Sequence, residues 1–172
     1  KPDVLALQEI GPKPFLLELQ KDLQTEGVHY PHHAWIEAED ENRHLAVLSK
    51  IPIVETRLHR DLDFKYFDER EKIKRGLLEV VFETDGVKWS LFVVHLKSKW
   101  TERKDDFEAA KRRTGEARAA RDFVKKAHPP EDSPNYLVTG DFNDHRDSAP
   151  LRRFLQSGDT QLTHIVPAAD SR

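Results

Sequence analysis

Apolar residues recur along this chain in two rhythms, and the rhythm changes wherever turn residues intervene. Val4–Glu9 is a short apolar run that ends in Gln8-Glu9 before Gly11-Pro12, which reads as a strand. Phe15, Leu16, Leu19 and Leu23 then repeat at helical spacing, so a helix is expected near Pro14–Gln24, its end marked by Gly27. His33–Ala38 and Leu45–Ser49 read as an antiparallel pair joined by the charged turn Glu39-Asp40-Glu41-Asn42, and Ile53–His59 as a further strand. The charged stretch 61–74 is expected to be a loop at the rim of a site. Leu77–Glu83 and Val87–Val94 flank Thr84-Asp85-Gly86, a hairpin signature. A long helix near Phe107–Lys126 is stopped by Pro129-Pro130. Tyr136-Leu137-Val138 reads as a buried strand, and Ala149–Leu155 as a short helix with Ser148 as cap and Pro150 in its first turn. With no repeat, linker or second domain visible, the expectation is one α+β domain over residues 1–172, built from two packed mixed sheets flanked by helices.

Three of these strands end in residues that carry chemistry. The first finishes in Gln8-Glu9, the strand 89–95 in His95 with Lys97 close behind, and the strand beginning at Tyr136 in Gly140-Asp141-Phe142-Asn143. Glu and Asp are rarely buried unless paired or bound to a metal, and ligands of sheet proteins gather at strand ends. Three such ends form one candidate site. Gly140 permits a turn or a close backbone approach, and Asp141 and Asn143, two apart, point to one side if the chain stays extended. A carboxylate beside an amide suits a site that orients water or metal and hydrogen-bonds an anion. The same residues also suit a plain Asx-turn.

In the segments Pro2–Glu9, His44–Lys50, Val94–Ser98 and Gly140–Asn143, order and spacing resemble those of the endonuclease/exonuclease/phosphatase superfamily, whose members are deoxyribonuclease I-like. Leu7-Gln8-Glu9 and Gly140-Asp141-Phe142-Asn143 are the specific segments, and the resemblance covers most of the chain. It implies a four-layer α/β sandwich and hydrolysis of phosphate esters with Mg²⁺ or Mn²⁺. By the same resemblance Glu9 is the metal ligand, and Asp141 positions the attacking water. Asn143 holds phosphate and water, and His95 contacts the scissile phosphate and can act as an acid. Arg75 matches an arginine near the phosphate in some members, and Lys97 is well placed to attract phosphate. A histidine rather than a tyrosine at position 95 places the chain nearer the deoxyribonuclease and sphingomyelinase branches than the abasic-site endonucleases.

The family's opening Asn-bearing strand and its closing Ser-Asp-His segment have no counterpart here, and there is no methionine. The expectation is therefore a piece of a longer protein, incomplete at both termini.

Composition narrows the partners. A charged fraction of 34% and a mean hydropathy of -0.73 indicate a wet surface, and no apolar run is long enough to span a membrane. Without cysteine there are no disulfides. A net charge of -3 does not suit a tight grip on long nucleic acid, but residues 97–126 carry 11 Lys/Arg against 6 Asp/Glu. That excess reads first as a solvated amphipathic helix and second as a basic wall that attracts phosphates. Trp100 suits either a buried anchor or a stacking platform, while His32 and His33 read as turn or surface histidines and His145 as a loop residue. The partner expected is a phosphate ester, with nucleic acid ahead of lipid or inositol phosphates. A non-catalytic binding module of the same fold is the alternative of a different class, and oligomeric state is not legible. Because the Asp–His pair that the resemblance calls for is absent, these 172 residues alone are expected to show no Mg²⁺-dependent hydrolysis, and turnover by them would refute this.

Overall fold

The computed structural model describes residues 1–132 and 134–165. Along the chain run β1 (Val4–Ile10), α1 (Lys13–Thr25), β2 (His32–Ile36), β3 (His44–Ser49), β4 (Ile53–His59), β5 (Asp63–Tyr66), β6 (Glu69–Lys72), β7 (Leu77–Thr84) and β8 (Val87–His95). Then follow α2 (Ala110–Ala127), β9 (Tyr136–Asp141), α3 (Ala149–Leu155) and a short pair, β10 (Gln156–Ser157) with β11 (Thr160–Gln161). These elements make a mixed α+β fold and form two compact units. The first comprises Lys1–Asp61, Lys74–His95 and Asn135–Asp141; the second comprises Leu62–Ile73, Leu96–Pro134 and Phe142–Arg172.

The first unit is built on two sheets. One has the order β1-β3-β2 and is antiparallel; the other has the order β4-β7-β8-β9, antiparallel except where β9 runs parallel to β8. Alternation decides how they meet. Every residue of β3 is buried, and its side chains divide by parity. Leu45 and Val47 join Ala34 and Ile36 against Leu78, Val80, Phe82, Leu91 and Val93 of the other sheet. Ala46 and Leu48 face the opposite way and pack with Leu16 of α1 and Tyr30. One strand thus serves two apolar layers, with α1 on the outside. The hairpin β7–β8 turns through Asp85 and Gly86, both at positive φ as a tight type I′ turn requires.

Two expectations about this unit need correction. Helical spacing groups Phe15 with Leu16, Leu19 and Leu23, but Phe15 is mostly exposed, and only Leu16 of α1 is fully buried. β9 is not a buried strand either: Leu137 is exposed and its neighbours are half-buried, because β9 lies at the edge of its sheet.

In the second unit, the segment expected as a loop is a hairpin, β5–β6. Asp63-Phe64-Lys65-Tyr66 alternates exposed and buried, so a period of two was present beneath the charge. Phe64 sits so close to α2 that a Cβ on Gly115 would lie 2.3 Å from its ring. The Tyr66 hydroxyl donates to Asp106 at 2.9 Å. Burial first, and then this carboxylate, push the Tyr66 pKa up to about 12. Asp106 also accepts the backbone N–H groups of Lys111 and Arg112, satisfying the open start of α2. Helix α2 itself departs from the solvated amphipathic helix expected: Arg112, Arg113, Glu116 and Arg121 are all buried. Opposite charges meeting inside make this possible for Arg112, which bonds both Glu71 and Glu116, whereas the Arg121 guanidinium has no hydrogen-bond partner among the described residues.

Gly140 explains itself through β8 rather than through a ligand. It has φ +137°, and a Cβ there would lie 1.9 Å from the carbonyl oxygen of Val94. Gly86 is also left-handed but faces open space. Gly140→Ala should therefore destabilise the protein by at least about 3 kcal/mol, from backbone strain and overlap together, and Gly86→Ala by only about 1 kcal/mol. Urea denaturation of the two variants checks this, and equal losses would contradict the packing described.

Candidate active site

The ends of β1, β8 and β9 carry the candidate residues of the first unit. Register explains how. Leu7 pairs with Ala46 and Ile10 with His44, so β1 spends one more residue than β3 over this interval, a bulge. Leu7 and Ile10 both pack into the layer beneath α1. Glu9, held between them at φ 56°, escapes the alternation and projects toward His95. A left-handed glutamate at a bulge is a strained local choice of the kind found at binding sites.

His95 ends β8 on the same parity as Leu91 and Val93, so it emerges from the layer between the sheets. It is only 2% exposed, and its Nδ1 has no hydrogen-bond partner among the described residues. Its Nε2 lies 3.8 Å from the Glu9 carboxylate, too far for a hydrogen bond. Burial holds the imidazole below the usual histidine range, and Arg75 acts in the same direction; the pull of Asp141, Glu9 and Asp40 does not cancel this. His95 is thus neutral at pH 7, and the Glu9 contact is not an ion pair. Asp141 is the register partner of His95 across the parallel β8/β9 pair. Glu9, His95 and Asp141 therefore come together, as their positions at strand ends implied.

Arg75 is buried, donates from Nε to Asp40 at 2.9 Å, and leaves Nη1 without a partner among the described residues. Asp40 was the residue missed. Its carboxylate accepts backbone N–H groups of Asn42 and Arg43, bonds Arg75, and lies 3.5 Å from Arg43, which in turn lies 3.8 Å from Glu9. Burial alone would raise its pKa, but those N–H groups and the two guanidinium groups outweigh it and hold the carboxyl below the usual range. The signal available was Asp40-Glu41-Asn42-Arg43, an Asx-turn pattern. Reading it as a turn was right but incomplete.

Asn143 and Lys97 belong to the second unit. Extended geometry does not continue to Asn143: β9 ends at Asp141, and Asn143 is left-handed at φ 52°. Its side chain donates instead to the carbonyl of Leu96 at 2.9 Å. Lys97 Nζ lies over the ring of Trp100. Trp100 is 70% exposed, which rules out the buried anchor.

A model of the Endonuclease/Exonuclease/phosphatase family matches residues 1–167. The chain belongs to that family. No curated protein matches the sequence at a significant level. Among solved structures, this family member is 21% identical to sphingomyelinase C from Streptomyces griseocarneus, with a TM-score of 0.64 over 90% of this chain and 56% of that one. It is 17% identical to the catalytic domain of human nocturnin with bound sulfate, at a TM-score of 0.63 over 91% and 57%. A mutant beta toxin from Staphylococcus aureus with bound magnesium ions is 19% identical, at 0.62 over 90% and 57%. At these identities the likeness is one of fold, and the chain spans just over half the length of the structures it matches.

The residues present fit Mg²⁺. Among the described residues no three His, Cys, Asp or Glu converge into a cage. A single hard carboxylate that is 62% exposed, as at Glu9, is nevertheless what Mg²⁺ accepts when waters and a phosphate complete its shell. No helix among the described residues is long and apolar enough to cross a membrane.

The lowered pKa of Asp40 has a defined sign. Its ionised form contributes stability fully above the unfolded carboxylate value of about 4, and that contribution is lost as pH falls through the lower folded value. Asp40→Asn should flatten the acid limb of the stability–pH curve below about pH 4. Urea denaturation across that range measures it, and an unaltered slope would remove Asp40 from the charge network.

Proposed function

We propose that this domain hydrolyses phosphate esters with Mg²⁺ or Mn²⁺, and that its first substrate class is the phosphodiester of nucleic acid. The observation that carries this reading is the meeting of Glu9, His95 and Asp141 at one end of the paired sheets, with Arg75 held beside them by Asp40. Glu9 would hold the metal, whose contribution when bound is Lewis-acid stabilisation of charge on the phosphoryl and leaving oxygens. Neutral His95 would offer a ring N–H to a phosphoryl oxygen, in surroundings whose burial gives that bond weight. Arg75 Nη1 would offer a second donor. Asp141 would orient the attacking water, and Asn143 and Lys97 would hold the phosphate.

A lipid or inositol phosphate is the second reading. It is supported by the net charge of -3, which provides no extended basic surface for a long polyanion. Sphingomyelinases among the matching folds point the same way. Assays of the complete gene product with Mg²⁺ or Mn²⁺ against plasmid DNA, RNA, sphingomyelin and phosphoinositides separate the two. Hydrolysis of none of them would leave the non-catalytic module.

Two substitutions test the roles. His95→Ala should lower kcat by about 10²–10³, the scale of losing one donor to developing charge; wild-type turnover would dismiss it. Glu9→Gln should shift a Mn²⁺ titration to higher concentration, and an unmoved titration would dispose of Glu9 as ligand.

A further inference from the structure

We propose that Arg113 and Glu116 of α2 are positioning residues that set the course of the segments carrying Lys97 and Asn143, a role that rests on the function proposed above. The segment 96–98 follows β8, and the segment 142–145 follows β9. Both are gripped by one buried turn of helix. Glu116, fully buried, accepts the N–H of Lys97 at 2.7 Å. Arg113, 2% exposed, donates from Nη1 to the carbonyl of Lys97 at 3.3 Å and to that of Glu108 at 2.8 Å. Both polar groups of residue 97's backbone are thus tied to side chains three apart on α2, which share a face. The remaining edge of the Arg113 fork reaches Asp144, with Nε at 2.8 Å and Nη2 at 2.7 Å. Asp144 closes its own turn by accepting the N–H of His145. Burial would raise the Asp144 pKa, but Arg113 and that N–H hold it below the usual range, so the pair stays charged. Asn143 stands next to this anchor in a left-handed conformation and reaches back to Leu96. One guanidinium therefore links two segments that lie 16 and 31 residues from it in sequence.

Stability alone is a poor reason for this arrangement. A buried ion pair is commonly no more stabilising than apolar side chains of the same volume. Apolar groups, however, could not hold a peptide N–H, two carbonyls and a carboxylate in fixed directions. The planar fork of arginine can, and lysine, a point charge on a flexible stem, cannot. Placement errors of about 1 Å at a reacting group cost about 10² in rate.

The test compares wild type, Arg113→Lys and Glu116→Gln. In the complete gene product, on the phosphodiester it hydrolyses, kcat per folded molecule should fall about 100-fold in Arg113→Lys and about tenfold in Glu116→Gln. KM and metal half-saturation should stay within about twofold. In the 172-residue chain, exchange of the Asn143 side-chain amide hydrogens, read by NMR, should be slow in wild type and faster in Arg113→Lys. Should Arg113→Lys fail to fold, Glu116→Gln carries both readouts. A lowered melting temperature with unchanged kcat per folded molecule would make the pair merely structural and overturn the role. Unchanged exchange would overturn it regardless of turnover. An inactive wild type would instead remove the function reading, and this role with it.

Discussion

The apolar layer between the two sheets of the first unit is the constraint on which the rest depends. Leu45 and Val47 on one side and Leu78, Val80, Phe82, Leu91 and Val93 on the other fix the spacing and register of both sheets. A slip of one residue in β8 would turn this face outward and carry His95 with it. Because His95 continues the parity of Leu91 and Val93, its ring is delivered to the mouth of a dry layer, where burial keeps it neutral. Glu9 reaches the same place by the opposite device, a break in parity at the β1 bulge. Regular alternation places one group, and a local exception places the other.

Much of this was legible in the sequence, for reasons of residue type. Glu9, His95 and Asp141 stood out because charged or titratable residues closed apolar runs, and the structure puts those three ends together. The bulge was not legible. Gln8 and Glu9 lack the glycine that often announces one, and the extra residue shows only as a pairing shift against β3, a long-range fact. Asp40 was hidden because a turn residue and an arginine's partner look alike in one dimension. Asn143 was read as extended with Asp141, whereas a bond to Leu96, 47 residues back, accompanies its left-handed backbone.

Charge was the least faithful guide. The segment 61–74 seemed too polar for strands, yet Phe64 and Tyr66 alternate with Asp63 and Lys65 and anchor a hairpin. The basic run after His95 seemed solvated, yet Arg112, Arg113 and Arg121 turn inward. Net charge over a window counts residues without pairing them. Glu71, Glu116 and Asp144, which neutralise Arg112 and Arg113, come from three separate elements or loops. Burial of ions is a tertiary property, and composition does not contain it.

The edge position of β9 has a consequence for handling the protein. Among the described residues this strand is hydrogen-bonded to β8 on one side only, and Leu137 is exposed upon it. An edge strand beside an exposed apolar side chain is a template for another extended chain. Concentrated solutions of the 172-residue chain would accordingly tend to associate edge to edge, and a charged residue in place of Leu137 would blunt that tendency.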